Sequence, residues 1–379
     1  MKDYFTGSII QHQERAKRLL ERIPPNLPRE FHVLVQKCND ELSRLLDGLK
    51  FLLEDPRMQM IEYQPERLRR FRRIVDQMGL LETTAIAALE RHNCDDLFLN
   101  RFIETIKQET QYPLLPPVVT SLSQQYFHIF PNLNLLFVPL SEGDFLLHLP
   151  DLYHEIAHPL VTERYNRRVK PFQDAISNAL DIVLEYVEEE QQKEERRRGP
   201  QKLFFYFYLW EKSWLEWTTE FFCDIFAICT IGPAFAWSHI YLCAKYGQDP
   251  FIVPTAHLVS HPADAARMKS MLFALELLGF NEDVGKIQQK WDELIIISDA
   301  KPEPEYKRCF PDHILQKITT TAVNGVNGLG CQVASLNSNG QIYCLLNNAW
   351  KMFWGDPQQY ITWERNSIHN LRNQIYPNN

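Results

Sequence analysis

The sequence predicts a mainly α-helical protein with a small β element. Apolar residues recur at intervals of three and four over long stretches, which is the period of an amphipathic helix. Glycine is sparse, at 14 of 379 residues, so few turn signals interrupt these stretches. One apolar run, residues 132–140, has turn-forming residues before it and a proline near its end, which is typical of a short strand.

The composition excludes some classes of protein and favours others. Hydrophobic residues make up 45% of the chain, so a large core can be buried, and the net charge of −8 argues against a nucleic-acid-binding surface. Residues 1–20 lack the apolar core of a signal peptide. The eight cysteines form no C-x-x-C pair, a pattern typical of reduced cysteines. We therefore expect a cytoplasmic protein with no nucleic-acid partner.

The apolar segment 221–244 is long enough to cross a membrane. However, Asp224, His239 and the Gly232–Pro233 pair interrupt it. We predict two buried helices here rather than a membrane span, with Pro233 at the start of the second.

Residues 1–112 are predicted to form an N-terminal helical region. The helical period covers 9–23 and 31–55, and further helices are expected near 67–92 and from about residue 95.

A middle region is assigned to residues 113–299. The strand 132–140 is followed by a helix start at Pro150–Asp151, with Asp151 as a possible N-cap. Further helices are predicted over the ranges 171–190, 202–232, 262–278 and 281–297. The charge run is predicted to end the first of them.

Residues 300–379 are predicted to form a C-terminal helical region. The segment 298–306, rich in proline and charge, is the best candidate for a linker before it. A helix near Asp312, a Gly/Asn-rich loop over 324–340 and a final helical stretch from 341 are expected within it.

The stretch DLYHEIAHPL, residues 151–160, carries the first candidate site. His154 and His158 are four residues apart, so on a helix both imidazoles lie on one face and reach one metal ion. Glu155 lies beside them, near enough to act as a base on water at the metal. Pro159 cannot donate to the Glu155 carbonyl, so we expect the helix to kink or end at His158.

A third metal ligand is needed, and the aromatic helix predicted over 202–232 offers one. Glu216, Glu220 and Asp224 follow one another at intervals of four and form an acidic stripe on an apolar helix. Buried carboxylates require a cation or another partner. We expect Glu220 to bind zinc and Asp224 to hold an imidazole N–H of a ligand histidine, with Glu216 as the alternative ligand.

A third element is the pair His261–Pro262 at a helix start, followed by Arg267. Together, the order HExxH, ExxxD and HP…R resembles the gluzincin class of zinc metallopeptidases. It is closest in pattern to the branch of the CAAX-prenyl endopeptidases and the heat-shock membrane peptidases. The resemblance covers about residues 130–280.

The resemblance implies a zincin-like metallopeptidase core in the middle region, 113–299. It implies that His154, His158 and Glu220 bind the zinc ion, that Glu155 is the general base, and that Asp224 supports a ligand. It also places His261 and Arg267 near the oxyanion. The strand within 132–140 would be an edge strand that receives an extended substrate.

These observations predict a zinc-dependent endopeptidase that holds one Zn²⁺ per chain and acts on a protein or peptide, with a regulatory partner as an option. One alternative is a di-iron carboxylate bundle, which requires a second E-x-x-H besides Glu155–His158; the sequence contains none. Another is a helical protein-interaction module with a structural or vestigial metal site, in which residues 1–112 and 305–379 form binding surfaces.

Overall fold

The protein is mainly α-helical with a small β element, as predicted, and in the described residues this element is a three-stranded sheet. The computed structural model describes residues 2–123, 126–140, 142–198, 204–246, 249–254 and 258–375. The chain folds into two compact units. One consists of residues 1–101 and 117–140, and the other of residues 102–116 and 141–379. The division of the sequence into three regions, with boundaries near residues 112 and 299, stays a prediction.

The first unit contains the N-terminal helices. Its helix α2 buries one stripe of residues at intervals of three and four, which is the pattern that predicted it: Leu34, Cys38, Leu42, Leu45, Leu49 and Leu52. The helices are α1 (Lys2–Arg22), α2 (His32–Glu54), α3 (Pro56–Gln59), α4 (Gln64–Leu81), α5 (Ala87–Arg91) and α6 (Cys94–Thr110), of which α6 continues into the second unit.

The sheet of the first unit has strands β1 (Val118–Ser123), β2 (His128–Phe130) and β3 (Leu135–Pro139) in the order β1-β3-β2. The predicted strand is β3, and it pairs parallel with β1 and antiparallel with β2. The expectation of an edge strand at β3 is therefore wrong. Both its backbone edges are hydrogen-bonded to neighbours, so no substrate strand can add to it.

The second unit holds the remaining helices, several of them close to the predicted bounds. They are α7 (Asp151–Glu155), α8 (His158–Thr162), α9 (Lys170–Arg198), α10 (Phe204–Ile231), α11 (Pro233–Tyr246), α12 (Asp264–Leu277), α13 (Asn281–Ile297), α14 (Pro304–Cys309), α15 (Asp312–Gly328), α16 (Gln341–Gly355) and α17 (Pro357–Ile375).

Helix α10 lies at the centre of the second unit. It packs against α7, α9, α11, α12 and α15, and every residue from Phe221 to Ile231 is buried. Pro233 begins α11, as predicted, because its missing N–H is not needed in a first turn. No helix in the described part of the chain combines the length and the apolar character needed to cross a membrane.

Two predicted boundaries in this unit are wrong. Helix α9 does not end near residue 190 but continues through the charge run to Arg198. Glu, Gln, Lys and Arg are good helix formers, and Lys193 has Glu189 and Glu190 as partners one turn away. The Gly/Asn-rich stretch from 324 begins inside α15, which runs to Gly328.

Two glycines of α15, Gly325 and Gly328, allow close packing against α9 and do not form a turn. A Cβ on Gly325 would lie 2.8 Å from the Cβ of Ala175, and one on Gly328 would lie 2.6 Å from the Cβ of Pro171. Both distances are shorter than any van der Waals contact. Only glycine therefore allows α15 to approach α9 this closely.

Candidate metal centre

The HEIAH segment spans a break between two short helices. Helix α7 ends at Glu155, and α8 begins at His158 with Pro159 in its first turn. The backbone between them is held by tighter bonds: the N–H of Ala157 donates to the His154 carbonyl, and that of Leu160 donates to Ala157. The predicted break is confirmed, but the first helix ends three residues earlier than expected, so the two histidines belong to successive helices.

The break leaves the two imidazoles next to each other. The ring centroids of His154 and His158 are 5.1 Å apart, with their planes at 76°. His154 is buried and His158 is partly buried. Two imidazoles that meet at a large angle can direct one nitrogen each to a common point between them.

Helix α10 supplies the carboxylate that faces both rings. The Nε2 of His154 lies 3.4 Å from Glu220 Oε2, and the Nε2 of His158 lies 3.9 Å from Glu220 Oε1. One ligand atom from each of the three residues lies within 4.8 Å of the others. Glu216, one turn earlier on α10, is exposed and outside this group, so the acidic stripe is not buried as a whole.

These distances suit a tetrahedral ion. Two ligand atoms at about 2.0–2.2 Å from zinc lie about 3.3–3.6 Å apart, so the first distance agrees and the second is a few tenths of an ångström longer. Glu220 Oε2 is buried and has no hydrogen-bond partner. A buried carboxylate oxygen without a donor is costly, and a cation between Glu220 and the two imidazoles would satisfy it. The residues therefore fit a zinc-class ion.

Asp224, one turn after Glu220, holds His154 in place. The Nδ1–H of His154 donates to Asp224 Oδ1 at 2.8 Å, which leaves the Nε2 lone pair of His154 directed to the site. Asp224 also accepts from Arg267, with Nε 2.8 Å from Oδ2 and Nη2 2.7 Å from Oδ1. The side chain of Asp224 is 0% exposed. Its charge is therefore compensated by Arg267.

The charges in this group are strongly coupled. Burial alone would lower the pKa of His154, but the carboxylates of Asp224 and Glu220 outweigh it and raise this pKa to about 10. Burial would raise the pKa of Asp224, but Arg267 and His154 hold it well below its usual range. At neutral pH and without a cation, His154 is thus protonated on both nitrogens, with Nδ1–H on Asp224 and Nε2–H on the side of Glu220. A bound cation would displace the Nε2 proton and free the lone pair of that nitrogen.

The other two ligand side chains are already in the protonation state that a metal requires. Burial and the charge of His154 lower the pKa of His158 to about 4. Burial would raise the pKa of Glu220, but the imidazoles of His154 and His158 lower it to about 2. His158 is therefore neutral and Glu220 ionised at neutral pH, and neither must lose a proton to bind a cation.

Glu155 differs from Glu220 in its surroundings. It is partly buried, and this burial raises the pKa of its carboxyl to about 7, although the charge of His154 offsets part of the rise. A carboxyl with a pKa near the working pH can both take and return a proton.

His261 lies on the open side of the group. Its side chain is 64% exposed, and its Nε2 is 3.8 Å from Glu220 Oε2. Its Nδ1 is 2.9 Å from the hydroxyl of Ser260. The structure thus brings His261 to the ligands, whereas the guanidinium of Arg267 is engaged by Asp224.

Sequence reasoning missed a second group of ligand-type side chains in this unit. His239, Cys243 and Asp264 also bring one donor atom each within 4.8 Å of the others. The signal in the sequence was His239 and Cys243, four residues apart on one predicted helix.

The chain was compared with family models, with curated proteins and with solved structures, and none of them matches it. The likeness to gluzincins therefore depends on the sequence motifs alone, because a group of histidine and carboxylate side chains that could hold a metal is not specific to that class.

Glu220 and Glu216 provide a direct test of the third ligand. We expect Glu220→Gln to weaken Zn²⁺ binding at this site by more than about 100-fold, because a ligand is lost and not merely its support. Glu216→Gln should leave the affinity unchanged, since Glu216 is exposed. Competition with a chromophoric chelator would measure both. Equal effects of the two substitutions would contradict the assignment of Glu220.

Proposed function

We propose that this protein is a zinc-dependent endopeptidase. The observation that carries the proposal is the convergence of His154, His158 and Glu220, whose ligand atoms lie within 4.8 Å of one another. Two further carboxyl groups lie near these residues. Glu155 has a pKa suited to proton transfer, and the buried carboxylate of Asp224 orients the imidazole of His154. Such a set of roles is the one that metal-assisted hydrolysis requires.

The bound zinc ion would supply Lewis-acid polarisation of the scissile carbonyl and increased acidity of water. The protein's own residues then handle the protons. Glu155 accepts a proton from the attacking water and transfers it to the nitrogen of the leaving amine. Its pKa of about 7 applies without a cation. A divalent ion nearby would lower that pKa and favour the carboxylate form, which is the base.

The two remaining residues have different roles in this proposal. His261 is exposed and its Nε2 lies 3.8 Å from Glu220 Oε2, so in this proposal its imidazole donates a hydrogen bond to the oxyanion of a bound peptide. Arg267 donates twice to Asp224 and is therefore a positioning residue: it fixes Asp224, which fixes His154.

Metal removal tests this function. The protein, stripped with a chelator, should lose hydrolysis of an unstructured peptide library and regain it with Zn²⁺. Mass spectrometry of the cleaved termini would identify the bonds and the flanking residues. Hydrolysis that survives complete removal of the metal would contradict the proposal. Zinc binding without cleavage of any peptide would favour a helical interaction module with a structural metal site.

A further inference from the structure

The second group of ligand-type side chains joins helices α11 and α12. His239 and Cys243 lie one turn apart on α11, and Asp264 is the first residue of α12. The imidazole of His239 is 2% exposed, whereas Cys243 and Asp264 are partly buried. Asp264 follows Ala263, the N-cap residue of α12, and its carboxylate lies beside the imidazole of His239.

The sulfur of Cys243 and two oxygens of Asp264 all lie close to one nitrogen of His239. The Nε2 of His239 lies 3.6 Å from Cys243 Sγ, 3.7 Å from Asp264 Oδ1 and 3.4 Å from the backbone carbonyl oxygen of Asp264. Around a tetrahedral zinc ion, a sulfur and an imidazole nitrogen lie about 3.5 Å apart, and a nitrogen and an oxygen about 3.3–3.6 Å apart. The observed distances are close to these values.

A cysteine, a histidine and an aspartate could also form a nucleophilic triad, but this geometry does not fit one. In a triad the imidazole contacts the nucleophile with one nitrogen and the acid with the other. Here Cys243 and Asp264 both face Nε2 of His239. Burial also raises the pKa of the Cys243 thiol well above its usual value, which is the opposite of an activated nucleophile.

We propose that His239, Cys243 and Asp264 bind a second divalent ion of the zinc class, separate from the ion of the HEIAH site. An imidazole, a thiolate and a carboxylate form the mixed set of ligands that Zn²⁺ prefers. The thiolate and the carboxylate together balance the charge of the ion. Binding forms a sulfur–metal bond, and the thiol proton of Cys243 passes to solvent.

Burial lowers the pKa of His239, and the positive charge of Arg267 close to this group lowers it further. This does not prevent binding, because Arg267 is already paired with Asp224 by two hydrogen bonds and because a neutral imidazole is the form that binds a metal. The ion would hold the first turn of α12 against α11. Arg267 lies one turn further along α12, so the second ion would stabilise its position.

Cobalt provides a test that does not depend on hydrolysis. The full-length protein, stripped with a chelator, should bind two Co²⁺ ions per chain. It should also show a near-ultraviolet charge-transfer band from thiolate to cobalt, which the HEIAH site cannot produce because it contains no sulfur. Cys243→Ser should lose one ion and the band. His158→Gln should lose one ion and keep the band, and Cys331→Ser, a change at a partly buried cysteine outside the group, should keep both.

One ion per chain without the band in the unmodified protein would overturn the proposal, as would a band that survives in Cys243→Ser. A second measurement uses the unmodified chain and so does not depend on how a variant folds. Zn²⁺ should protect Cys243 from alkylation, mapped by mass spectrometry, while Cys331 and Cys344 react at the same rate with and without the ion. Equal reaction of Cys243 in both conditions would refute the site.

Discussion

Glu155→Gln is expected to reduce peptide hydrolysis by about 100- to 10,000-fold, the usual contribution of a general base. Glutamine has nearly the same size and shape as glutamate, but its amide cannot accept a proton from water at neutral pH. The proposed ligands His154, His158 and Glu220 are unchanged, so Zn²⁺ affinity at the site should change by less than about tenfold. Initial rates on a cleaved peptide and a metal titration of the same sample measure the two quantities.

The matched control is Glu216→Gln, which makes the same chemical change at an exposed position of α10. It should keep both hydrolysis and metal binding. Retained hydrolysis in Glu155→Gln would exclude Glu155 as the base and, with it, the mechanism proposed above. A loss of zinc together with activity would instead assign Glu155 to the ligands.

The helices could be predicted because their signals are local. Helix α13 has the predicted bounds, Asn281–Ile297, and α16 begins at the predicted residue, Gln341. The break in HEIAH was also predictable, since Pro159 removes one specific backbone hydrogen bond. In each case residues within one or two turns determine the outcome.

The parts that could not be predicted depend on residues distant in the sequence. β3 is a central strand because β1 and β2 pair with it, and β2 has only three residues, too few for a clear alternating pattern. The composition around Gly325 predicts a loop, but the role of this glycine is set by Ala175 on another helix.

The same limit applies within the candidate site. The sequence indicates that Glu220 and Asp224 share a helix face, because their spacing of four residues is a local signal. The partner of Asp224 could not be predicted in this way, because Arg267 is 43 residues away on another helix. The sequence predicts that a buried carboxylate needs a cation or another partner, and for Asp224 that partner is Arg267 together with the imidazole of His154.

Asp224→Asn is expected to be the most destabilising single change at the site. The asparagine cannot neutralise Arg267, which is buried beside it, and in either orientation its NH₂ group would face an N–H donor of Arg267. Removing one partner of a buried ion pair costs about 3–5 kcal/mol. We expect a loss of that size in the free energy of unfolding, measured by urea denaturation with a chelator present. Glu216→Gln, the exposed control on the same helix, should change it by less than about 0.5 kcal/mol.

The double variant Asp224→Leu/Arg267→Met separates the structural role of this pair from its role in positioning His154. With both charges removed, no buried ion is left unpaired, so most of the lost stability should return. Zinc affinity at the HEIAH site should still be about 10- to 100-fold weaker than in the unmodified protein, since nothing then holds the Nδ1–H of His154. If the double variant regained full zinc affinity along with stability, Asp224 would be only a counter-ion for Arg267. If the free energy of unfolding of Asp224→Asn were within about 1 kcal/mol of that of the unmodified protein, the buried ion pair of Asp224 and Arg267 would be contradicted.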